Sequence, residues 1–135
     1  MATLIDSSLW VDFTRLRSPR SLKEFIEPYI LAADAVVAEP VVFEVLRYAT
    51  DAEVPRLETQ FGLLPMLPTP VDFWARAAEL GRTCRRSGIT PGGLDLLIAA
   101  VAIAHAAELV TFDTDFEGIA RVSTLKVKLL KRPAP

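Results

Sequence analysis

Cys84 and His105 are the only cysteine and the only histidine in the chain. A lone thiol closes no internal disulfide, so a reducing compartment, the cytosol, is the expected setting. Cys84 stands in "GRTCRRSG" with no histidine or second cysteine beside it, which argues for a half-buried helix residue rather than a metal ligand or nucleophile. A basic surplus is also missing: the net charge is −2 and the pI is near 5.4. Generic nucleic-acid binders are basic overall. Contact with nucleic acid would therefore need a local basic patch, or metal ions held by acids. Long hydrophobic runs are absent as well. The most apolar stretch, "LLIAAVAIAHAAELV" at 96–110, is interrupted by His105 and Glu108, and its clean part falls short of the roughly 18 residues a membrane span needs. The start has no basic leader, and Asp6 breaks its apolar run, so a signal peptide is not indicated. No repeat, linker or low-complexity segment punctuates the chain, apart from a short "KRPAP" tail expected to fray.

What is present is the material for one core. The 135 residues are a common single-domain length, and 51% are hydrophobic, so one domain over 1–135 is expected. "TLID" (3–6), "AVVA" (35–38), "LPML" (64–67), "LVTF" (109–112) and "LKVKLL" (125–130) read as strands. Pro65 cannot donate to a ladder, which puts the third strand at an edge. Between them lie helical patterns. "SSLWVDFTRL" has Ser7 or Ser8 as N-cap. "SPRSLKEFIEPYILAAD" has apolar residues at the helical period, a Ser21–Glu24 capping box and a helix-disturbing Pro28. "PVVFEVLRYAT" opens on Pro40, and "AEVPRLETQFGLL" continues helical after a break. "TPVDFWARAAELGRTCRRSG" has Thr69 as cap and Gly88 as stop. "TPGGLDLLIAAVAIAHAA" has Thr90 as cap and Pro91 in the first turn, and "DFEGIARV" makes a short helical turn. Strands alternating with helices imply an α/β fold with a parallel sheet covered on both faces.

In such a sheet, ligands bind beyond the carboxyl ends of the strands. Asp6 ends the first strand, and Asp113 and Asp115 follow the fourth. Glu44 lies one turn into the helix after the second strand, and Asp95 lies in the first turn of the helix leading to the fourth. If the first and fourth strands are neighbours, these five carboxylates converge. Like charges that close raise one another's pKa values and oppose folding. Hard cations such as Mg²⁺ and Mn²⁺ relieve this, because they prefer oxygen ligands. Asp6, Asp95 and Asp113 are the metal ligands favoured. Two metals about 4 Å apart would activate a water and stabilise the leaving oxygen of a phosphodiester. That chemistry needs no histidine, cysteine or serine nucleophile.

The residues in "LIDSSLWVDF", "EPVVFEVLRYA" and "GGLDLLIAAVAIAHAAELVTFDTDF" carry a resemblance. The chain resembles the PIN-domain nucleases, and more narrowly the VapC-type toxins of bacterial toxin–antitoxin pairs, from residue 3 to about 130. The family pattern has an acid closing the first strand before a small hydroxyl residue (Asp6, Ser7). It has a glutamate on the second helical region (Glu44), an acid opening an Ala-rich helix (Asp95), and Thr111, Asp113, Asp115 and Phe116 at the end. The resemblance implies a strand order of 3-2-1-4-5 in a three-layer α/β/α fold and metal-dependent RNA cleavage. It also implies a homodimer and a small VapB-like antitoxin that occludes the acidic site, in many members with an arginine. The glycines of "TPGGLD" depart from the pattern, and should loosen the turn before Asp95 or let substrate backbone come close.

Each residue also has a plainer reading. Asp6 alone is a strand-end turn acid, Asp95 a helix-dipole acid, and Asp115 an N-cap for "FEGIA". Glu44 is hard to place on a solvated face, with Val42, Phe43, Val45 and Leu46 around it. Asp12, Asp34, Asp51 and Asp72 read as turn, cap or surface acids, and His105 as a packed or C-terminal helix residue. Ser7 and Thr111 either orient water or a carboxylate, or cap and pack. Arg47, Arg82, Arg85 and Arg86 are phosphate contacts or a charged helix face, and Trp10 and Trp74 core or dimer contacts. Among rival functions, "DTDF" resembles the nucleophile motif of haloacid-dehalogenase-like phosphatases, but that motif opens its fold and needs a later lysine and acid pair. A receiver domain needs paired acids after the first strand and a late lysine. A non-toxin PIN nuclease and a catalytically silent PIN-fold binding module stay open.

Overall fold

The computed structural model describes residues 1–134. Five parallel strands, β1 (Thr3–Ile5), β2 (Ala35–Ala38), β3 (Met66–Leu67), β4 (Glu108–Thr111) and β5 (Lys126–Leu129), form one sheet in the order β3-β2-β1-β4-β5. This is the order expected. β1 is central, with Thr3 and Leu4 beside Ala35 and Val36 on one side, and Thr3 to Ile5 beside Glu108 to Val110 on the other. All four residues of β2 are buried, as are Leu4, Ile5 and Leu109 to Thr111. Because successive side chains point to opposite faces, this burial means that helices cover both faces of the sheet. β3 lies at an edge, where the carbonyl of Pro65 accepts from Val37 N–H at 3.0 Å. At the other edge β5 is largely exposed, and Lys126 and Lys128 discourage further pairing there.

The helices are α1 (Ser7–Thr14), α2 (Arg20–Leu31), α3 (Glu39–Tyr48), α4 (Val54–Gly62), α5 (Phe73–Arg86), α6 (Gly93–Ala104) and α7 (Asp115–Arg121). They pack around a core that includes Leu9, Trp10, Ile26, Val41, Ile98 and Phe116, all within 1% of full burial. Trp10 sits edge-on to Phe61 with centroids 4.8 Å apart. Truncating it to alanine would cost about 3–5 kcal/mol. Cys84 is fully buried rather than half-buried.

Four caps differ from those expected. The cap of α1 is Asp6, whose carboxylate accepts from Ser8 N–H, so neither Ser7 nor Ser8 fills the role. α2 starts after Pro19, which leaves Ser21 inside the helix, and Glu24 pairs with Arg20 at 2.8 Å instead of closing a capping box. Thr69 donates to Glu39 at 3.1 Å, and α5 begins four residues later, at Phe73 behind Asp72. Gly92, in extended conformation, precedes α6, so Thr90 and Pro91 lie outside that helix. Gly88 ends α5 as expected, in the left-handed conformation (φ 77°) that glycine adopts without strain.

Candidate active site

The topology that makes β1 and β4 neighbours brings the carboxyl ends of both to one place. Asp6 leaves β1 there with its backbone N–H on Val110 O at 3.0 Å. The side chain is 2% exposed. A buried carboxylate needs partners, and three hydroxyls provide them. Ser8 Oγ and Thr111 Oγ1 each donate to Asp6 Oδ2 at 2.7 Å, and Ser7 Oγ lies 3.4 Å from Oδ1. Thr111 is fully buried and works in two directions, since its Oγ1 also accepts from Asp113 N–H at 2.9 Å. One hydroxyl therefore ties the acid of β1 to the turn after β4. Ser8 does the same through Phe112 N–H, at 3.1 Å.

Glu44 enters from α3. Ser7 Oγ donates to its Oε1, and Arg47, one turn on, stands 3.6 Å from its Oε2. Asp95 projects from the first turn of α6. Asp113 and Asp115 follow β4, and the Asp113 carboxylate accepts from Asp115 N–H at 2.9 Å, an Asx turn that leads into α7. The capping role expected of Asp115 thus falls to Asp113, with Thr114 at the N-cap position and Asp115 as the first helical residue. Oxygens of Asp95, Asp113 and Asp115 lie within 4.8 Å of one another. Asp6, Glu44, Asp95 and Asp113 line one open pocket of about 290 Å³.

Electrostatics register the crowding. Burial pushes the Asp95 carboxyl up to about 7, and the charges of Asp113, Asp6, Glu44 and Asp115 push the same way. The other four acids placed together by sequence reasoning therefore all act on Asp95. The donors are all carboxylate oxygens, with Arg47 on Glu44 the one ion pair to these acids among the described residues. Such a set suits a hard divalent cation and offers nothing soft for zinc.

A family profile described as "PIN domain" matches residues 3–122. The chain belongs to the PIN-domain family. Its PIN-domain relatives include VapC ribonuclease Mb1587 of Mycobacterium bovis, 37% identical over 130 residues, covering 91% of this chain and 95% of that protein. Ribonuclease VapC5 of Mycobacterium tuberculosis is 34% identical over 139 residues, covering 93% and 96%. The PIN fold also superposes on the crystal structure of VapBC2 from Rickettsia felis bound to a DNA fragment from its promoter. There the TM-score is 0.76 at 20% identity, covering 97% of this chain and 100% of that one.

Several other residues weighed from the sequence lie outside the acid pocket of this PIN domain, and some that line it were missed. Arg82, Arg85 and Arg86 lie on α5 and do not line the acid pocket. Trp10 is core, whereas Trp74 is 70% exposed. His105 closes α6 with its Nε2 2.7 Å from Pro68 O, outside the pocket. A Cβ at Gly92 would stand 3.9 Å from Asp95 Oδ2, and one at Gly93 would meet nothing, so neither glycine is required sterically. Ser8 was missed, though its position two residues after a capping acid is the signal for a hydroxyl that folds back. Arg15, Tyr48 and Arg132 also line the pocket. Arg132 lies in the tail expected to fray, yet its Nε donates to Asp12 at 2.6 Å. The last tail residue, Pro135, lies outside the described residues.

Proposed function

We propose that this chain is a Mg²⁺- or Mn²⁺-dependent endoribonuclease, the toxin of a toxin–antitoxin pair, working as a single PIN domain in the cytoplasm. The observation that carries the reading is the convergence of Asp6, Glu44, Asp95 and Asp113 from four separate segments on one open pocket, with Asp115 beside Asp95 and Asp113. VapC ribonucleases among its relatives support the activity. The solved VapBC complexes of the same fold support a small antitoxin as partner, and a homodimer is part of the proposal. Among the described residues, no helix is long and apolar enough to cross a membrane.

Asp6, Asp95 and Asp113 are the proposed metal ligands, with Asp115 beside them. Bound Mg²⁺ or Mn²⁺ would supply Lewis acidity toward a phosphodiester oxygen and a hydroxide from water. The protein's own part is positioning. Ser8 and Thr111 hold Asp6 Oδ2, which leaves Oδ1 with a single long contact from Ser7. Thr111 also sets the turn that presents Asp113. Ser7 fixes Glu44 through Oε1, so its other oxygen faces Arg47 and the pocket. Asp95, charged only with difficulty near neutral pH, is the acid whose ionisation most needs a cation beside it.

A silent binding module would be favoured by loss of an acid, and all five are present. The test is RNA cleavage with Mg²⁺ or Mn²⁺, with EDTA, and with Asp6→Asn and Asp95→Asn. Cleavage should vanish with EDTA and with either variant. Activity that survives both treatments would refute the metal-nuclease reading.

A further inference from the structure

The acid pocket has a cationic rim that the proposed chemistry leaves unused. Arg15 follows the last residue of α1, and Arg132 follows β5, so the two come from opposite ends of the chain to line one pocket. Arg132 is held in place twice. Its Nε donates to Asp12 Oδ2 at 2.6 Å, and its guanidinium carbon stands 4.5 Å from the centre of the Phe112 ring. Phe112 in turn stacks on Phe25 at 6.3 Å. The Arg132 side chain still keeps 51% of its surface open, against 14% for Asp12. A guanidinium has five N–H donors in a fixed fork, so engagement through Nε leaves donors for a second oxyanion. Arg15 is exposed and has no ion pair among the described residues.

Electrostatics give these cations a purpose. A pocket walled by carboxylates repels a polyanion, and a metal bound among the acids offsets that repulsion only at the reacting phosphate. A strand laid across it needs cations at the phosphates on either side of the one that reacts. An arginine already immobilised by stacking and a carboxylate loses less side-chain entropy on gripping a phosphate than a free one. We propose that Arg15 and Arg132 grip the RNA phosphates that flank the acid cluster, with Asp12 and Phe112 presetting the Arg132 fork. This rests on the ribonuclease reading above, and adds the residues that seat the strand.

The test uses the full chain in an Asp95→Asn background with Mg²⁺, so that no strand is cut during titration. A fluorescein-labelled single-stranded RNA pool of random sequence is the probe, and anisotropy is read across a salt series. Arg132→Ala and Arg15→Ala should each weaken binding about fivefold at low salt. Each should flatten the slope of log K against log[salt] by about 0.7, the loss of one phosphate contact on a single strand. Arg20→Ala, whose side chain is 92% exposed on α2, should change neither. Arg132→Lys should keep the slope. Asp12→Asn separates a phosphate grip from a mere latch for the tail: it should keep or tighten binding, whereas a latch would lose binding in Asp12→Asn and Arg132→Ala alike. With Asp95 restored, Arg132→Ala should raise KM and leave kcat nearly intact. Unchanged affinity and slope in both arginine variants would overturn the inference. Wild-type cleavage is scored separately. RNA cut by the wild type together with unaffected arginine variants defeats this inference alone, whereas binding without cutting defeats the nuclease reading alone.

Discussion

Each end of strand β1 meets an aspartate, Asp34 from the turn before β2 and Asp6 directly after β1, and the two make an informative pair. Asp34, at the amino end, accepts from Thr3 Oγ1 at 2.7 Å, and Asp6, at the carboxyl end, accepts from Thr111 Oγ1 at the same distance. The local chemistry is nearly identical: a carboxylate, a threonine, a parallel sheet. The surroundings are not. Asp34 is exposed, and water can solvate its charge. Asp6 is 2% exposed and shares its pocket with Glu44, Asp95 and Asp113. A hydrogen-bonded acid at a strand end is thus no sign of function by itself. What marks the carboxyl end is that several other segments deliver acids to the same place, at a cost that folding alone does not explain.

The comparison breaks most visibly in activity. Asp6→Asn should lower RNA cleavage by about a thousandfold, the several kcal/mol expected when a metal-held charge is lost, while Asp34→Asn should stay within about twofold of wild type. Matching losses in the two variants would mean that the two ends do not differ as described. Next in size is the threonine pair. Thr111→Val removes the donor to Asp6 and the acceptor for Asp113 N–H, and should cost about 10- to 100-fold in cleavage, as for other groups that orient metal ligands. Thr3→Val should leave the rate alone.

A smaller effect is read by thermal unfolding in EDTA. The native state holds a proton on Asp95 up to about pH 7, whereas the unfolded chain releases it near its ordinary value of 3.8. Between those values the native state binds more protons, so this group's contribution to stability falls as pH rises. Asp95→Asn should therefore melt a few degrees above wild type at pH 8, with the gap shrinking toward pH 5. Mg²⁺ or Mn²⁺ should raise the wild-type midpoint and narrow the gap at pH 8. A variant that melts lower at pH 8 would contradict the proposed crowding. Smallest of all, Asp34→Ala should change stability by no more than about 0.5 kcal/mol in a urea titration, as exposed pairings generally do.

Much of this was legible beforehand, and for a physical reason. The parallel sheet and the edge position of β3 follow from alternation and Pro65, whereas the strand order came from the family resemblance, and with β1 and β4 side by side the acids meet because ligands sit at the carboxyl ends of strands. Helix starts were misread because several residues compete to cap. Asp6 displaced Ser7 and Ser8 once its carboxylate was fixed by Thr111, 105 residues away. The same long-range contact makes Ser8 a site residue. Asp113 and Asp115 exchanged the capping role because an Asx turn puts the first acid, not the second, on the helix N–H. Arg132 could not be seen at all. A tail with two prolines and two cations reads as loose until Asp12 and Phe112, far away in sequence, are found beneath it.

The most direct measurement is diffraction from crystals soaked in Mn²⁺, with data collected at the manganese absorption edge. An anomalous peak among Asp6, Asp95, Asp113 and Asp115, absent in Asp95→Asn crystals, is the predicted result. A pocket without a peak at saturating Mn²⁺, in a protein that still cuts RNA, would contradict the claim that these acids converge to hold a metal.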